Sequence, residues 1–172
     1  MLCLIACLLP SSVFAADSQT GGSCGDNLTW SLDSGTLTVS GTGAMDDYTE
    51  AQDTPWYDSK TGITEIVIGS GVTSIGDYAF SACIRVTSVS ISDTVKSIGD
   101  YAFNANYKLT QVTIPGSVES IGSHAFSLCT GLTDIDIPDS VTELGDGVFY
   151  GCSSLVSASL SENLTGIPDT LF

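Results

Sequence analysis

The sequence predicts a repeat solenoid, and the first observation behind this prediction is a hexapeptide that recurs at a fixed spacing. Successive copies begin 23 residues apart, with no insertion or deletion between them. A fixed period of this length is the sequence pattern of a solenoid, in which each repeat forms one coil. The copies are IGDYAF at 75–80 and 98–103, IGSHAF at 121–126, LGDGVF at 144–149 and IPDTLF at 167–172.

The second observation is a strand-like segment that opens each coil, and the third is a hairpin pattern ahead of the array. The opening segments follow an LxxLxL spacing whose last two apolar residues lie two apart, so both point to one side of a strand. Ahead of the array, two short alternating segments flank the turn residues 33–35, which predicts a β-hairpin. The opening segments are residues 63–68, 86–91, 109–114, 132–137 and 155–160.

In chain order, residues 1–15 predict an export signal peptide. The apolar run 2–10 is too short to span a bilayer, and the small residues Val13 and Ala15 favour cleavage after Ala15. An alternative is that the LIAC sequence ending at Cys7 is a lipobox, which would make that cysteine a lipid anchor. The small polar residues 16–23 predict a flexible lead, and we expect no membrane insertion after signal cleavage.

Residues 24–60 predict an N-terminal β cap. Leu28 and Trp30 share one face of the first hairpin segment, and Leu37 and Val39 share one face of the second. A polar loop then leads to the bulky residue Trp56. The first coil of a solenoid has no preceding neighbour, so its core needs a cover. The hairpin and the tryptophans are the residues expected to provide it.

Residues 61–172 predict the array of 23-residue repeats, with the last repeat incomplete. In each coil a polar turn and a second apolar pair, such as Val95 and Ile98, follow the opening segment. Residues 77–80 and their equivalents then predict a short helical turn on the outside of the coil, which ends in a buried Phe. Asp77 at its start is expected to be an N-cap that accepts hydrogen bonds from unpaired amides.

The charge of the chain excludes several classes of partner. Four Lys and Arg residues against 20 Asp and Glu residues give a formal net charge of −16. A nucleic acid or an anionic membrane surface would be repelled, so we expect neither as a partner. Neutral or cationic ligands and divalent ions remain compatible with this charge.

Three cysteines, Cys83, Cys129 and Cys152, occupy one repeat position, and Asn106 fills the remaining copy. Equivalent residues of neighbouring coils lie about 5 Å apart, so a disulfide between Cys129 and Cys152 is one possibility. The alternative is an internal ladder of free thiols, because free Cys behaves as a small buried apolar residue. The ladder is the favoured interpretation. No CxxC pairing with a second pair or with histidine supports a zinc site.

No arrangement of residues in the sequence predicts catalysis. His124 is the single histidine, and other coils have Tyr78, Tyr101 and Gly147 at its position. A position that varies in this way predicts an exposed residue of the helical turn. No serine and carboxylate have a spacing that would hold this histidine between them, and the periodic glycines belong to the turns of the coils. No cofactor is expected.

A recurring aspartate offers a possible metal site. Asp77, Asp100, Asp146 and Asp169 share one repeat position, which Ser123 interrupts. Calcium binding is one interpretation of this row and a set of N-caps is the other. Calcium needs six to eight oxygens around one point, and a row of single carboxylates does not predict them. We therefore predict no metal site.

Residues 91–109 (ISDTVKSIGDYAFNANYKL) and 114–132 (IPGSVESIGSHAFSLCTGL) resemble the bacterial surface protein A (BspA-like) leucine-rich repeats, which share the period of 23. The resemblance covers residues 63–172, and Asn106 and Pro168 depart from its pattern. It implies a leucine-rich-repeat right-handed superhelix with a parallel β-sheet on the inner face. It also implies adhesion or binding to a protein or matrix ligand, without catalysis.

The non-core residues of the strand-like segments are the candidate ligand-binding residues, because solenoids present a concave surface built from such positions. They are small, polar and mildly acidic. The alternative is a solvated face with no ligand. The candidates are Glu65, Val67, Ser88, Ser90, Gln111, Thr113, Asp134, Asp136, Ser157 and Ser159.

The sequence therefore predicts an exported, non-catalytic leucine-rich-repeat protein that binds a protein or matrix ligand at the bacterial cell surface or after secretion. The alternative is a repeat module of a longer secreted or cell-wall-associated enzyme, truncated at Phe172.

Overall fold

The computed structural model describes residues 20–168 and 170–172. The predicted signal peptide and residues 16–19 lie outside the described residues, as does Asp169. Strand β1, Gly21–Gly25, already pairs antiparallel with the strand that follows it. The flexible lead predicted over 16–23 is therefore wrong for its last three residues, whose main chain lies in a sheet.

Most of the regular elements in the described part of the chain are short strands, joined by turns. Two 3₁₀ helices, Ala51–Asp53 and Tyr57–Gly62, precede the first coil. No helix in residues 20–168 and 170–172 has the length and apolar character needed to cross a membrane. The remaining strands are β2 Leu28–Asp33, β3 Thr36–Gly41, β4 Gly43–Ala44, β5 Glu65–Ile68, β6 Val72–Ile75, β7 Ser88–Ile91, β8 Ser97–Ile98, β9 Ser120–Ile121, β10 Asp134–Asp136, β11 Glu143–Leu144 and β12 Ser157–Ser159.

The strands form three sheets, and pairing between coils is parallel throughout. The first sheet has the order β1-β2-β3-β5-β7, and the separate pair β10-β12 lies further along the array. The third sheet, β4-β6-β8-β9-β11, starts with β4 ahead of the array and continues with the second apolar pair of the first four coils, where the sequence predicted no strand. Residues paired between coils are 23 apart, as in Ser74 with Ser97 and Ser97 with Ser120. The sequence period is thus the distance along the chain from one coil to the next.

Strands β2 and β3 form an antiparallel hairpin that leads into the array. Ser34 and Gly35 have positive φ angles of 49° and 89°, which turn the chain between the two strands. Leu37 and Val39 are fully buried and lie beside Ile66 and Ile68, because β3 pairs in parallel with β5 of the first coil. The hairpin is therefore continuous with the sheet of the repeats.

A column of stacked aromatic rings occupies the core. Phe80, Phe103, Phe126 and Phe149 are at most 1% exposed, and successive ring centroids lie 5.4, 5.3 and 6.2 Å apart. Trp56 stacks on Phe80 at 5.4 Å and extends the column into the segment before the first coil. Each ring is buried by the coils on either side, so adjacent coils depend on each other for core burial.

The segments predicted as helical turns are not helical, and this prediction is wrong. Tyr78 and Ala82 have φ angles of +55° and +58°, and the equivalent residues of later coils are also left-handed. Alternate amides donate to the next coil: the N–H groups of Tyr78 and Phe80 bond to the carbonyls of Asp100 and Ala102, each at 2.8 Å. An amide used by a neighbouring coil is not available for an i→i−4 bond, so the segment forms tight turns in place of a helix. We call residues 77–82, 100–105, 123–128 and 146–151 the turn face.

The opening segment of the third coil departs from the predicted pattern as well. Residues 109–114 keep the LxxLxL spacing but contain no strand, so the sheet is interrupted between β7 and β10. Proline follows this segment at Pro115 and follows the next one at Pro138. In the first coil, Gly69 at this position donates its N–H to the carbonyl of Val39 at 2.9 Å. Proline has no N–H, so the third and fourth coils both lack this donor.

Candidate ligand-binding face

The sheet register arranges the candidate residues in two rows. Thr36, Glu65 and Ser88 lie side by side on β3, β5 and β7, and Asp134 lies beside Ser157 further along the array. The second row contains Thr38, Val67 and Ser90, followed by Asp136 and Ser159. Gln111 and Thr113 belong to the interrupted segment between the two sheets. We call the outward residues of these segments the strand face.

The strand face is exposed, and the residues between its two rows point into the core. Of the predicted candidates, Val67 is half-buried and the others are exposed. The intervening residues Ile66 and Ile135 are 0% and 4% exposed, as expected for the two-residue alternation of a strand. Sequence reasoning missed Thr36 and Thr38 because they belong to the hairpin. Only the pairing of β3 with β5 extends the rows to them.

In the part of the chain that the structure describes, the carboxylates of the strand face have no cationic partner. Among the described residues, the one ion pair joins Lys96 and Glu119, which lie away from this face and are mostly exposed. Glu65 accepts a hydrogen bond from the Thr36 hydroxyl at 3.1 Å, and Asp134 accepts one from Thr133 at 2.8 Å. The strand face therefore presents uncompensated negative charge to a ligand.

The interrupted segment forms a recess in the strand face. Residues 111–114, which we call the open segment, line it on one side, and Asp134, Ile135 and Asp136 line it on the other. Within residues 20–168 and 170–172, no group forms a hydrogen bond with the backbone N–H or C=O groups of the open segment. Unpaired backbone groups at a surface recess are available to water or to a ligand.

His124 is part of an aromatic stack and not an exposed residue of a helical turn, so that prediction is corrected. Its ring is half-buried and stacks on Tyr101 at 4.9 Å, and Tyr101 stacks on Tyr78 at 4.8 Å. A Cβ atom at Gly147 would lie 2.3 Å from the His124 ring, so the imidazole covers the glycine of the next coil. The Tyr150 ring lies edge-on to the His124 ring. These contacts give the histidine a packing role.

Asp77 and Asp100 bond to the next coil and do not cap their own turns, so the N-cap prediction is wrong for these two aspartates. The Asp77 Oδ1 atom accepts the backbone N–H of Asp100 at 2.7 Å, and the Asp100 Oδ1 atom accepts that of Ser123 at 2.6 Å. Burial is the main cause that raises the pKa of Asp77; the Asp100 amide lowers it, and the Asp47 and Asp100 carboxylates raise it further. In the described part of the chain, no three His, Cys, Asp or Glu residues are placed to hold a metal ion.

The cysteines of the repeat position are free thiols, as the favoured ladder interpretation predicted. The Cys129 Sγ atom donates to the carbonyl of Phe103 at 3.2 Å, and the Cys152 Sγ atom donates to that of Phe126 at 3.1 Å. Asn106 takes the same role, because its Nδ2 atom donates to the carbonyl of Phe80 at 3.1 Å. This shared role explains why Asn replaces Cys here. Burial raises the pKa of the Cys83 and Cys129 thiols to about 12, so neither is a nucleophile at neutral pH.

Comparison with known proteins places this architecture among bacterial repeat proteins. A leucine-rich repeat protein from Eubacterium ventriosum is 33% identical over 83% of this chain, with a TM-score of 0.67. A leucine-rich repeat protein from Bacteroides ovatus is 28% identical over 81% of the chain, with a TM-score of 0.60. The chain spans 44% and 41% of those two proteins. The leucine-rich repeat protein TpLRR of T. pallidum shares the fold at 20% identity and a TM-score of 0.55, over 81% of this chain and 79% of its own. No curated protein matches the chain.

A family model supplies the last comparison. The BspA type leucine-rich repeat region matches residues 54–172 in six copies, which is more than half of the chain. The matched region begins ahead of the array predicted from the sequence and includes Trp56, the first ring of the aromatic column. The chain belongs to the BspA-type leucine-rich repeat family.

Proposed function

We propose that this protein is an exported, non-catalytic binding protein that recognises a protein or matrix ligand at the bacterial cell surface through its strand face. The observation that carries the proposal is the pair of rows on β3, β5, β7, β10 and β12, whose residues are mostly polar and are mostly exposed within the repeats. The repeats hold these residues at the spacing of a parallel sheet while their identities vary from coil to coil. Regular spacing with variable side chains suits recognition of an extended ligand.

The proposal includes a right-handed superhelix in which the strand face is concave and the hairpin β2–β3 caps the first coil. Support for the cap comes from the packing of Trp30 on Trp56, with ring centroids 5.7 Å apart, and of Trp56 on Phe80. These rings cover the core side of the first coil. Export rests on residues 1–15, and N-terminal sequencing of the secreted product tests it. We expect Ala16 as the first residue.

The binding role is tested with bulky substitutions on the strand face. The double variant Ser88→Arg, Ser157→Arg places two long side chains among exposed residues of this face. Its control, Ser70→Arg, Thr73→Arg, makes the same change of charge at exposed positions outside it. Both proteins are applied to an array of immobilised extracellular-matrix proteins. We expect the strand-face variant to lose binding that the control retains. Equal binding by the two variants and the unmodified protein would exclude the strand face as the recognition surface.

A second candidate is a non-catalytic repeat module of a longer secreted or cell-wall-associated enzyme. The observation in its favour is that the chain spans less than half of its Eubacterium and Bacteroides relatives. The intact mass of the product isolated from its native source distinguishes the two candidates. A mass equal to that of residues 16–172 favours the binding protein. A much larger mass favours the module of a longer protein, whose function is then sought in the additional sequence.

A further inference from the structure

We propose that the recess between the open segment and β10 binds an arginine side chain of an extended peptide ligand. This inference rests on the proposed function, because it places the recognition centre within the strand face. It also assigns the ligand a chemistry: a peptide segment that carries a planar cation. The recess is lined by residues 111–114 on one side and by residues 134–136 on the other.

The first argument is the unpaired main chain of the open segment. Strands β3 and β5 are paired on both sides, β7 pairs with β5, and β10 pairs with β12. The open segment contains none of these bonds, so its N–H and C=O groups have no partner among the described residues. The side chains of Val112 and Ile114, in contrast, are only 9% and 5% exposed. The segment is thus anchored by its side chains while its main chain remains available to a ligand.

The second argument is charge. Asp134 and Asp136 project from one strand to the same side as Gln111 and Thr113, and neither carboxylate has an ion-pair partner among the described residues. With a net charge of −16, the chain has few cations of its own to supply one. A cation from a ligand is the complementary group, and charge complementarity both speeds association and selects the partner.

The third argument concerns the shape of the cation. A guanidinium group is planar and has five N–H donors, so it bonds simultaneously to a carboxylate and to nearby carbonyl oxygens. A lysine ammonium is a compact ion and matches such a set of acceptors less well. The recess combines two carboxylates, backbone carbonyls and the polar side chains of Gln111 and Thr113. This set favours arginine over lysine.

The proposal is tested with a labelled peptide of alternating threonine and arginine and with matched peptides that contain lysine or citrulline. Citrulline keeps the size and planarity of arginine but lacks the charge. The protein variant is Asp134→Asn, Asp136→Asn, and the control is Glu143→Gln, Glu162→Gln, which makes the same charge change at exposed positions outside the recess. Fluorescence anisotropy gives Kd, and hydrogen–deuterium exchange reports the amides of residues 111–114.

We expect the arginine peptide to bind more tightly than the lysine peptide, and the citrulline peptide not to bind. The Asp134→Asn, Asp136→Asn variant should bind the arginine peptide at least about tenfold more weakly, which corresponds to about 1.4 kcal/mol. The control variant should bind within about twofold of the unmodified protein, since surface charges away from a contact contribute little. Exchange at residues 111–114 should be fast in the free protein and slower with the arginine peptide.

An equal loss of affinity in both variants would overturn the proposal, because it would show that only the overall negative charge of the protein attracts the peptide. Absence of peptide binding would overturn it as well. The strand-face test with Ser88→Arg, Ser157→Arg separates these results from failure of the proposed function. If that variant loses matrix binding while the arginine peptide does not bind, the strand face remains the recognition surface and only the recess is excluded.

Discussion

Neighbouring coils are joined by different patterns of hydrogen bonds on the turn face and on the strand face. On the turn face, the amides of Tyr78, Tyr101 and His124 donate to the next coil at 2.8, 2.9 and 2.8 Å without interruption. On the strand face, pairing stops at the open segment and resumes only between β10 and β12. The third coil is nevertheless held between its neighbours, because the turn face, the phenylalanine column and strand β9 of the third sheet all join it to them. The position of a coil is therefore fixed without pairing on the strand face.

This difference explains why one part of the repeat is constant in sequence and the other is not. Alternate backbone amides of the turn face donate to carbonyls of the next coil, and the Phe of each hexapeptide stacks on its equivalent there, so the hexapeptide recurs with little change. The outward residues of the strand face contact few other side chains, and they change from Glu to Ser, Gln, Asp and Ser along one row. The molecule separates a conserved scaffold from a variable surface within each 23-residue unit.

The largest effect is expected from removal of a ring in the phenylalanine column. Phe103→Ala leaves a cavity between Phe80 and Phe126 and should lower the free energy of unfolding by about 3–5 kcal/mol. Tyr107→Ala in the same coil is the control, because Tyr107 is 46% exposed. Urea denaturation followed by circular dichroism measures both. Equal destabilisation by the two substitutions would show that the column does not hold the coils together.

A smaller effect is expected where Asn106 replaces cysteine. Asn106→Ala removes the donor to the Phe80 carbonyl, which has no other donor among the described residues, and should cost about 1–3 kcal/mol. Asn106→Cys restores a donor of the kind that Cys129 and Cys152 provide, and it should recover most of this loss. Thermal unfolding of the two variants measures the difference. If the cysteine variant is no more stable than the alanine variant, the hydrogen bond is not the reason for the residue at this position.

A still smaller, pH-dependent effect is expected at Asp77. The folded-state pKa of Asp77 lies above its unfolded value, so this carboxyl contributes fully to the stability of the folded protein below its unfolded pKa of about 4. That contribution to stability is lost as the pH rises through the folded-state pKa. Asp77→Asn keeps an oxygen that accepts the Asp100 amide, and it removes the cost of burying the charge together with the repulsion from Asp47 and Asp100. The variant should therefore be more stable than the unmodified protein at pH 7, and the difference should shrink at pH 3. Thermal midpoints across this range provide the measurement; a constant difference would contradict the assigned cause.

The smallest effect on stability is expected on the strand face. Asp134→Asn, Asp136→Asn should change the free energy of unfolding by less than about 0.5 kcal/mol, because both side chains are exposed and neither is in an ion pair. Urea denaturation at pH 7 is the measurement, with the unmodified protein alongside. A large loss of stability would mean that the strand face is part of the scaffold, and the division between the two faces would not hold.

Sequence reasoning predicted the features that depend on periodic burial. The buried phenylalanines, the parallel stacking at a spacing of 23 and the exposed candidates of the strand face all follow from which positions are apolar. The turn face was misinterpreted because DYAF has the local pattern of a capped helical turn. Tyrosine and alanine give no indication of positive φ. Gly147 and Gly151, which replace them in a later coil, were the available signal.

The open segment was missed for a related reason. Its apolar spacing is the same as that of the segments that form strands, and burial of Val112 and Ile114 is maintained. The missing backbone donor is at Pro115, directly after the segment, and apolar periodicity carries no information about amides. Pro115 and Pro138, one period apart, were the local sign that pairing would be weakened.

The hydrogen bonds between coils also constrain how this molecule can change in length. The aspartate bonds join residues 23 apart, and the thiol bonds join residues 26 apart, always from one coil to its neighbour. Deletion or duplication of a whole 23-residue unit leaves each donor opposite an equivalent acceptor, whereas loss of a single residue misaligns every bond across that junction. Descendants of this sequence are therefore expected to differ by entire coils, so that the reach of the protein is adjusted in steps of one repeat.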